Sequence, residues 1–166
     1  MRSRRGALLQ DADEEVIRQY NPLYDRGYDL HQVDANTKVS YGAVRAVFPF
    51  KPRDTVTRVA FRELPASAGG GNVVLQRAVK HPSMPKRSGY VRAEVLRGMF
   101  VVQPVEGSPG LTNFTFTQQI NVGGLPPAWL INQLVANDGV QLFTRLDSAA
   151  RKYSPNKKKK KRRKGN

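Results

Sequence analysis

Two periodicities divide the chain. Between Tyr24 and Val122 apolar side chains recur at every second residue, and from Trp129 to Ala149 they recur at spacings of three and four. The first pattern predicts strands with one buried face, the second an amphipathic helix. Leu30 and Val33 followed by Val39, Tyr41, Ala43 and Arg45, with Asp34-Ala-Asn36 between them, predict a hairpin. Thr55 to Leu64 and Val73 to Lys80 predict a third and a fourth strand, joined through the flexible Ala66-Ser-Ala-Gly-Gly-Gly-Asn72. Tyr90 to Gln103 predicts a long fifth strand, with a turn or bulge near Arg97-Gly98. Leu111 to Val122 predicts a sixth, alternating Phe114, Phe116, Gln118, Ile120 and Val122 on one face.

Connections this short imply antiparallel pairing. Before the strands, Asp11 with Glu14 three residues on starts a short helix, which must stop at Asn21-Pro22. After them, Gly123-Gly-Leu-Pro-Pro127 breaks the chain. Trp129, Ile131, Leu134, Val135, Leu142, Phe143, Leu146 and Ala149 then form the apolar stripe of a helix reaching about Tyr153. The order is helix, six strands, long helix, which is the α+β class.

Charge adds a second feature. Of the 28 Lys and Arg residues, eight form one run, Lys157, Lys158, Lys159, Lys160, Lys161, Arg162, Arg163 and Lys164; without them 20 cations face 13 acids, a balance of +7. A basic body with a strongly basic tail implies an anionic partner: a membrane surface, nucleic acid or an acidic protein. The tail repels itself and is expected to be disordered over 154–166. Its run suits docking on anionic lipid, nuclear import or nucleic-acid binding. Residues 1–7 read as a basic extension, and 8–153 as one domain.

Several chemistries are disfavoured. With no Cys there is neither a disulfide framework nor a thiolate site. His31 and His81 lack companions at metal spacing. Gly69-Gly-Gly71 lacks the Lys-Ser/Thr and the following helix of a phosphate loop. No Ser, His and acid constellation stands out, so an enzyme is not expected. The N-terminus reaches Asp11 before any apolar run of signal-peptide length, so the expectation is a soluble intracellular protein, cytoplasmic, peripheral on membranes or nuclear.

Several segments resemble the START (StAR-related lipid transfer) family in order as well as in wording. Asn21-Pro-Leu, Phe48-Pro-Phe-Lys-Pro-Arg-Asp54, Arg62, His81-Pro82, Val91-Arg-Ala-Glu94 and Gln103-Pro104 follow one another as in that family. Thr115-Phe-Thr with Asn121-Val-Gly-Gly-Leu-Pro-Pro-Ala-Trp-Leu-Ile-Asn132 is the most specific block. The resemblance covers roughly Leu8 to Tyr153. It implies a helix-grip fold, in which a curved antiparallel sheet wraps a C-terminal lid helix, Pro126 to Tyr153, and encloses one lipid such as a sterol or phospholipid without any cofactor.

The resemblance makes Phe48 and Phe50 part of a gate loop. It offers Arg58, Arg92, Phe116, Ile120, Trp129, Leu134 and Phe143 as further lipid-binding candidates. Read without it, Arg92 and Glu94 form a surface pair on one strand face, and the helix stripe is ordinary core. A full family member has a helix, three strands and another helix before the segment that starts here, so truncation, completion by a partner and loss of lipid binding are all open. Many members also carry an acid in the strand before the Pro-Arg-Asp loop, paired with a later Arg. Here Val39 to Val47 has no acid and the Arg falls at Arg58, which implies that this polar anchor is absent. The rival is a basic nucleic-acid-binding protein without a cavity. The core-like alternation of Phe114, Phe116 and Trp129 disfavours it.

Overall fold

The structure, a computed structural model, describes residues 14–124 and 126–152, without the side chains at 128, 130, 131 and 133–140. The basic N-terminal extension, Asp11 and the polybasic run Lys157 to Lys164 lie outside the described residues.

Helix α1, Glu14–Tyr20, ends where Asn21-Pro22 requires. The hairpin β1, Tyr24–Asp34, and β2, Thr37–Val44, follows. Its turn is held by Asp34, whose Oδ1 accepts the Asn36 backbone N–H at 2.7 Å, the local bond that makes Asp a turn former. Then come β3, Arg53–Glu63, and β4, Asn72–Ala78. The expected fifth strand is divided into β5, Val91–Arg92, and β6, Glu94–Pro104. β7, Thr112–Asn121, completes the sheet, and α2, Ala128–Lys152, closes the described chain.

The curved sheet has the order β1-β2-β3-β4-β6-β7, antiparallel throughout that path. Only β5 departs, running parallel to β3 with Arg53 opposite Val91 and Asp54 opposite Arg92. Sequence pattern missed this because β5 is two residues long, and its pairing is dictated by the loop from 79 to 90 folding back over the sheet. The irregularity expected near Arg97 is a register shift between Val95 and Arg97. At Gly98 a Cβ would come within 3.1 Å of the Gln76 side chain.

Register from β2 to β4 is continuous, so the pleat assigns every side chain to one of two faces. On one face lie Tyr41, Val56 and Val79, and on the other Thr57, Val59 and Val74. The first face carries a core of Val39, Tyr41, Ala43 and Val56, covered by Met84 from the folded-back loop. The second is the helix side. Val16 of α1 and Leu146, Ala149 and Ala150 of α2 form a buried cluster, against which Tyr20, Leu142 and Phe114 of β7 pack. The stripe read from the sequence therefore buries its C-terminal part against α1 and β7.

Val56 is 1% exposed and Val33 43%. Val56→Ala should cost about 2 kcal/mol through lost burial and the void it leaves, and Val33→Ala under about 0.5 kcal/mol; urea unfolding measures both. The Asn36 N–H holds the Asp34 carboxyl below its ordinary value. A depressed folded pKa contributes stability above the unfolded carboxylate value, and that contribution is lost as pH falls through the folded one. The difference in urea midpoint between the wild type and Asp34→Ala is therefore expected to shrink on acidification from neutrality.

Candidate functional site

The helix-side face of the sheet is apolar at its centre and only partly covered. Phe100 stacks on Phe116 with ring centroids 4.7 Å apart, and Phe114 stands 6.2 Å from Phe100. Phe143 of α2 meets Phe114 edge-on at 5.5 Å, which places the helix over this aromatic cluster. Val59, Val74 and Val102 are buried on the same face, yet Ile120 is 41% and Phe143 44% exposed. The polar side chains in the middle of this face, Thr57, Gln76 and Gln118, are uncharged. The surface can thus cover an apolar body and offer hydroxyl and amide hydrogen bonds, without a fixed charge among these groups.

The opposite face has different chemistry. Asp54, 1% exposed, is gripped in two places by Arg92: Nε donates to Oδ1 at 2.8 Å and Nη2 to Oδ2 at 3.0 Å. Arg92 also donates to the carbonyls of Met84 at 3.3 Å and Pro85 at 3.0 Å. Four of the five guanidinium N–H groups are engaged, so the pair ties the folded-back loop to β3. The hydrogen bond to the Asp54 carboxylate raises the already high pKa of Arg92. Arg58 stands on this same face, exposed, opposite Val39 on β2 and Arg77 on β4.

The sequence-derived candidates are therefore not one constellation. Phe116, Ile120 and Phe143 come together on the helix side, while Arg58 and Arg92 lie on the other face. Arg92 pairs with Asp54 and not with Glu94, because β5 crosses to β3 whereas Glu94 begins β6 opposite Asn121. Phe48 is 96% exposed in the loop between β2 and β3, and Phe50 lies under the Arg53 guanidinium at 5.0 Å. Trp129, expected at a core-like position, is instead 66% exposed because it stands in the first turn of α2, ahead of the part of the helix packed on α1; the side chain of Leu134 lies outside the described residues. Sequence reasoning missed Phe100, Gln76 and Asp54. The alternation Asp54, Val56 was the available signal for Asp54, since an acid in phase with a buried valine needs a partner.

No described helix is long and apolar enough to cross a membrane. Among the described residues no group of three or more His, Cys, Asp or Glu could hold a metal.

The family model for the START domain matches residues 19–155. The chain belongs to the START family. It is 26% identical over 121 residues to human START domain-containing protein 10, spanning 73% of this chain and 40% of that one. It is 31% identical over 139 residues to mouse phosphatidylcholine transfer protein, spanning 82% and 63%. The crystal structure of human STARD10 superposes with a TM-score of 0.80 at 25% identity, covering 95% of this chain and 60% of that one. Human StAR-related lipid transfer protein 5 shares the fold, with a TM-score of 0.77 at 15% identity over 91% of this chain and 71% of that one. The chain thus spans less than two thirds of the length of these sequence relatives.

In this START chain the Gly-Gly block has a local physical cause. Gly123 sits at φ +68°, and a Cβ there would stand 2.7 Å from the Arg92 carbonyl. The turn from β7 toward α2 thus passes directly against β5, and only glycine fits. Removing one partner of the buried pair, by Arg92→Met or Asp54→Asn, should cost about 3–5 kcal/mol. The double change Asp54→Asn with Arg92→Met should cost clearly less than the two single costs together. Urea unfolding of the four proteins measures this coupling.

Proposed function

We propose that this START chain binds one amphipathic lipid between the helix side of its sheet and α2. The observation that carries the reading is the partly covered aromatic cluster Phe100, Phe114, Phe116 and Phe143, with Ile120 left open at its border. Exposed apolar surface gathered on one face marks a binding surface. Burying a side chain of this size contributes about 1.5–3 kcal/mol. Membership in the family supports the same reading, as does the likeness to a phosphatidylcholine transfer protein.

The headgroup this face suits carries no net charge, since its charged groups Lys38 and Asp29 already pair with each other at 2.9 Å. Thr57, Gln76 and Gln118 provide hydroxyl and amide groups, and a hydrogen-bond site of this kind selects a matching hydroxyl or amide. The two cations that the family resemblance offers as lipid-binding candidates, Arg58 and Arg92, are separated from this face by the sheet itself. The work assigned to the protein is carriage without bond chemistry. The polybasic run Lys157 to Lys164 adds peripheral docking on anionic membrane, each cation near the surface contributing about 1 kcal/mol. Nucleic acid is the competing occupant of that run.

Native mass spectrometry of the full chain purified from cells tests the reading. A bound lipid of uncharged headgroup is expected. Phe116→Asp should reduce its occupancy roughly ten-fold, since a carboxylate would then face the apolar guest, with circular dichroism checking that the sheet persists. Recovery of oligonucleotide in place of lipid, or lipid retained fully by Phe116→Asp, contradicts it.

A further inference from the structure

The sheet face turned away from α2 holds an open groove of about 1210 Å³. It crosses β3, β4, β6 and β7, and three interstrand spacings make its floor roughly 14 Å across. Ala60, Leu75 and Met99 contribute apolar floor, with Leu75 43% exposed. Arg58, Arg77, Lys80, Lys86 and Arg97 supply cations, and Glu94 is the one carboxylate among the lining residues.

These cations are arranged against their own electrostatics. Arg58 and Arg77 are direct cross-strand partners, a pairing that costs stability in the absence of an anion. Arg97 follows on β6, beside β4. Among the described residues no carboxylate forms an ion pair with any of the five. Arg92 differs because Asp54 already satisfies it. The groove is therefore built for an anion that the described chain does not provide.

Shape and lining select the kind of anion. A bilayer is a broad plane that would meet the rim of a groove and leave Leu75 and Met99 uncovered. Single-stranded nucleic acid is held by aromatic platforms, and no Phe, Tyr or Trp is among the residues that line this groove. An acidic polypeptide interrupted by apolar residues satisfies both halves of the surface: carboxylates meet the Arg58, Arg77 and Arg97 guanidinium forks, and the apolar side chains cover the floor. An extended segment of about five residues spans the width at about 3.4 Å per residue.

We propose that this outer groove docks an acidic segment of a partner protein in which Glu or Asp alternates with Leu-like residues. The site is separate from the proposed lipid face, with the sheet between them. Fluorescence anisotropy of the full chain with a labelled Glu-Leu alternating peptide tests it, with a Lys-Leu peptide, phosphatidylserine vesicles and oligouridine as competing probes.

The polybasic tail is present in every protein compared, so its contribution is common to all. Arg58→Gln with Arg77→Gln should weaken the Glu-Leu peptide at least roughly ten-fold and leave vesicle binding unchanged. The same change should raise the urea midpoint of the unliganded protein by relieving like-charge contact, which also establishes that the variant folds. Leu75→Ser should weaken the Glu-Leu peptide but not an all-Glu peptide of equal length. Unchanged affinity in the double variant, or loss of vesicle or oligouridine binding in its place, overturns the proposal. Because Phe116→Asp lies across the sheet, it should leave peptide affinity intact.

Discussion

The strict alternation of side chains across one uninterrupted antiparallel register is the constraint on which the molecule depends. From β2 through β4 no residue is inserted or lost, so each residue is committed to one face by its parity alone. Tyr41, Val56 and Arg58 share a face, and Thr57, Val59 and Val74 share the other. A one-residue slip would place Arg58 beneath the helix and Val59 in the groove. Everything inferred about ligands follows from that separation into an aromatic face, on which Lys38 is paired with Asp29, and a cationic one.

The two faces are closed by different means. On the helix side, Phe114 of β7 packs against the buried cluster that α1 and α2 share, and the cover is apolar contact. On the other side a loop is drawn down by a buried ion pair, Arg92 with Asp54, and carries Met84 into the core of Val39, Tyr41 and Val56. Arg87 of the same loop adds a guanidinium 5.9 Å from the rings of Tyr41 and Tyr90. A buried pair of this kind adds little net stability, but losing one partner leaves the other charge uncompensated. Here it fixes where the loop lands, and with it the wall of the groove.

Much of this was legible in the sequence. Period two and period three-to-four alternation placed all the long strands and α2, because burial on one side leaves a pattern that needs no tertiary knowledge. The Asp34-Ala-Asn36 turn and the stop at Asn21-Pro22 were equally local. What could not be read was long-range. β5 is too short for a period, and its parallel partner lies 38 residues upstream, so strand alternation alone offers Arg92 a surface pair with Glu94, two residues on, and not the bond to Asp54. Family likeness gathered Arg58 with Phe116 as one set of candidates, whereas counting parity through β3, β4, β6 and β7 separates them. Phe100 went unnoticed because it stands in the run Met99-Phe-Val-Val102, where alternation is masked by apolar residues on both faces.

The central claim is that lipid occupies the helix side of the sheet and not the groove behind it. Photo-crosslinking of the full chain with a lipid of uncharged headgroup bearing a diazirine in its apolar body, followed by peptide mapping, tests this most directly. Label on Phe100, Phe116 or Gln118 is the expected result. Label on Leu75 or Met99, with the aromatic face unmodified, contradicts it.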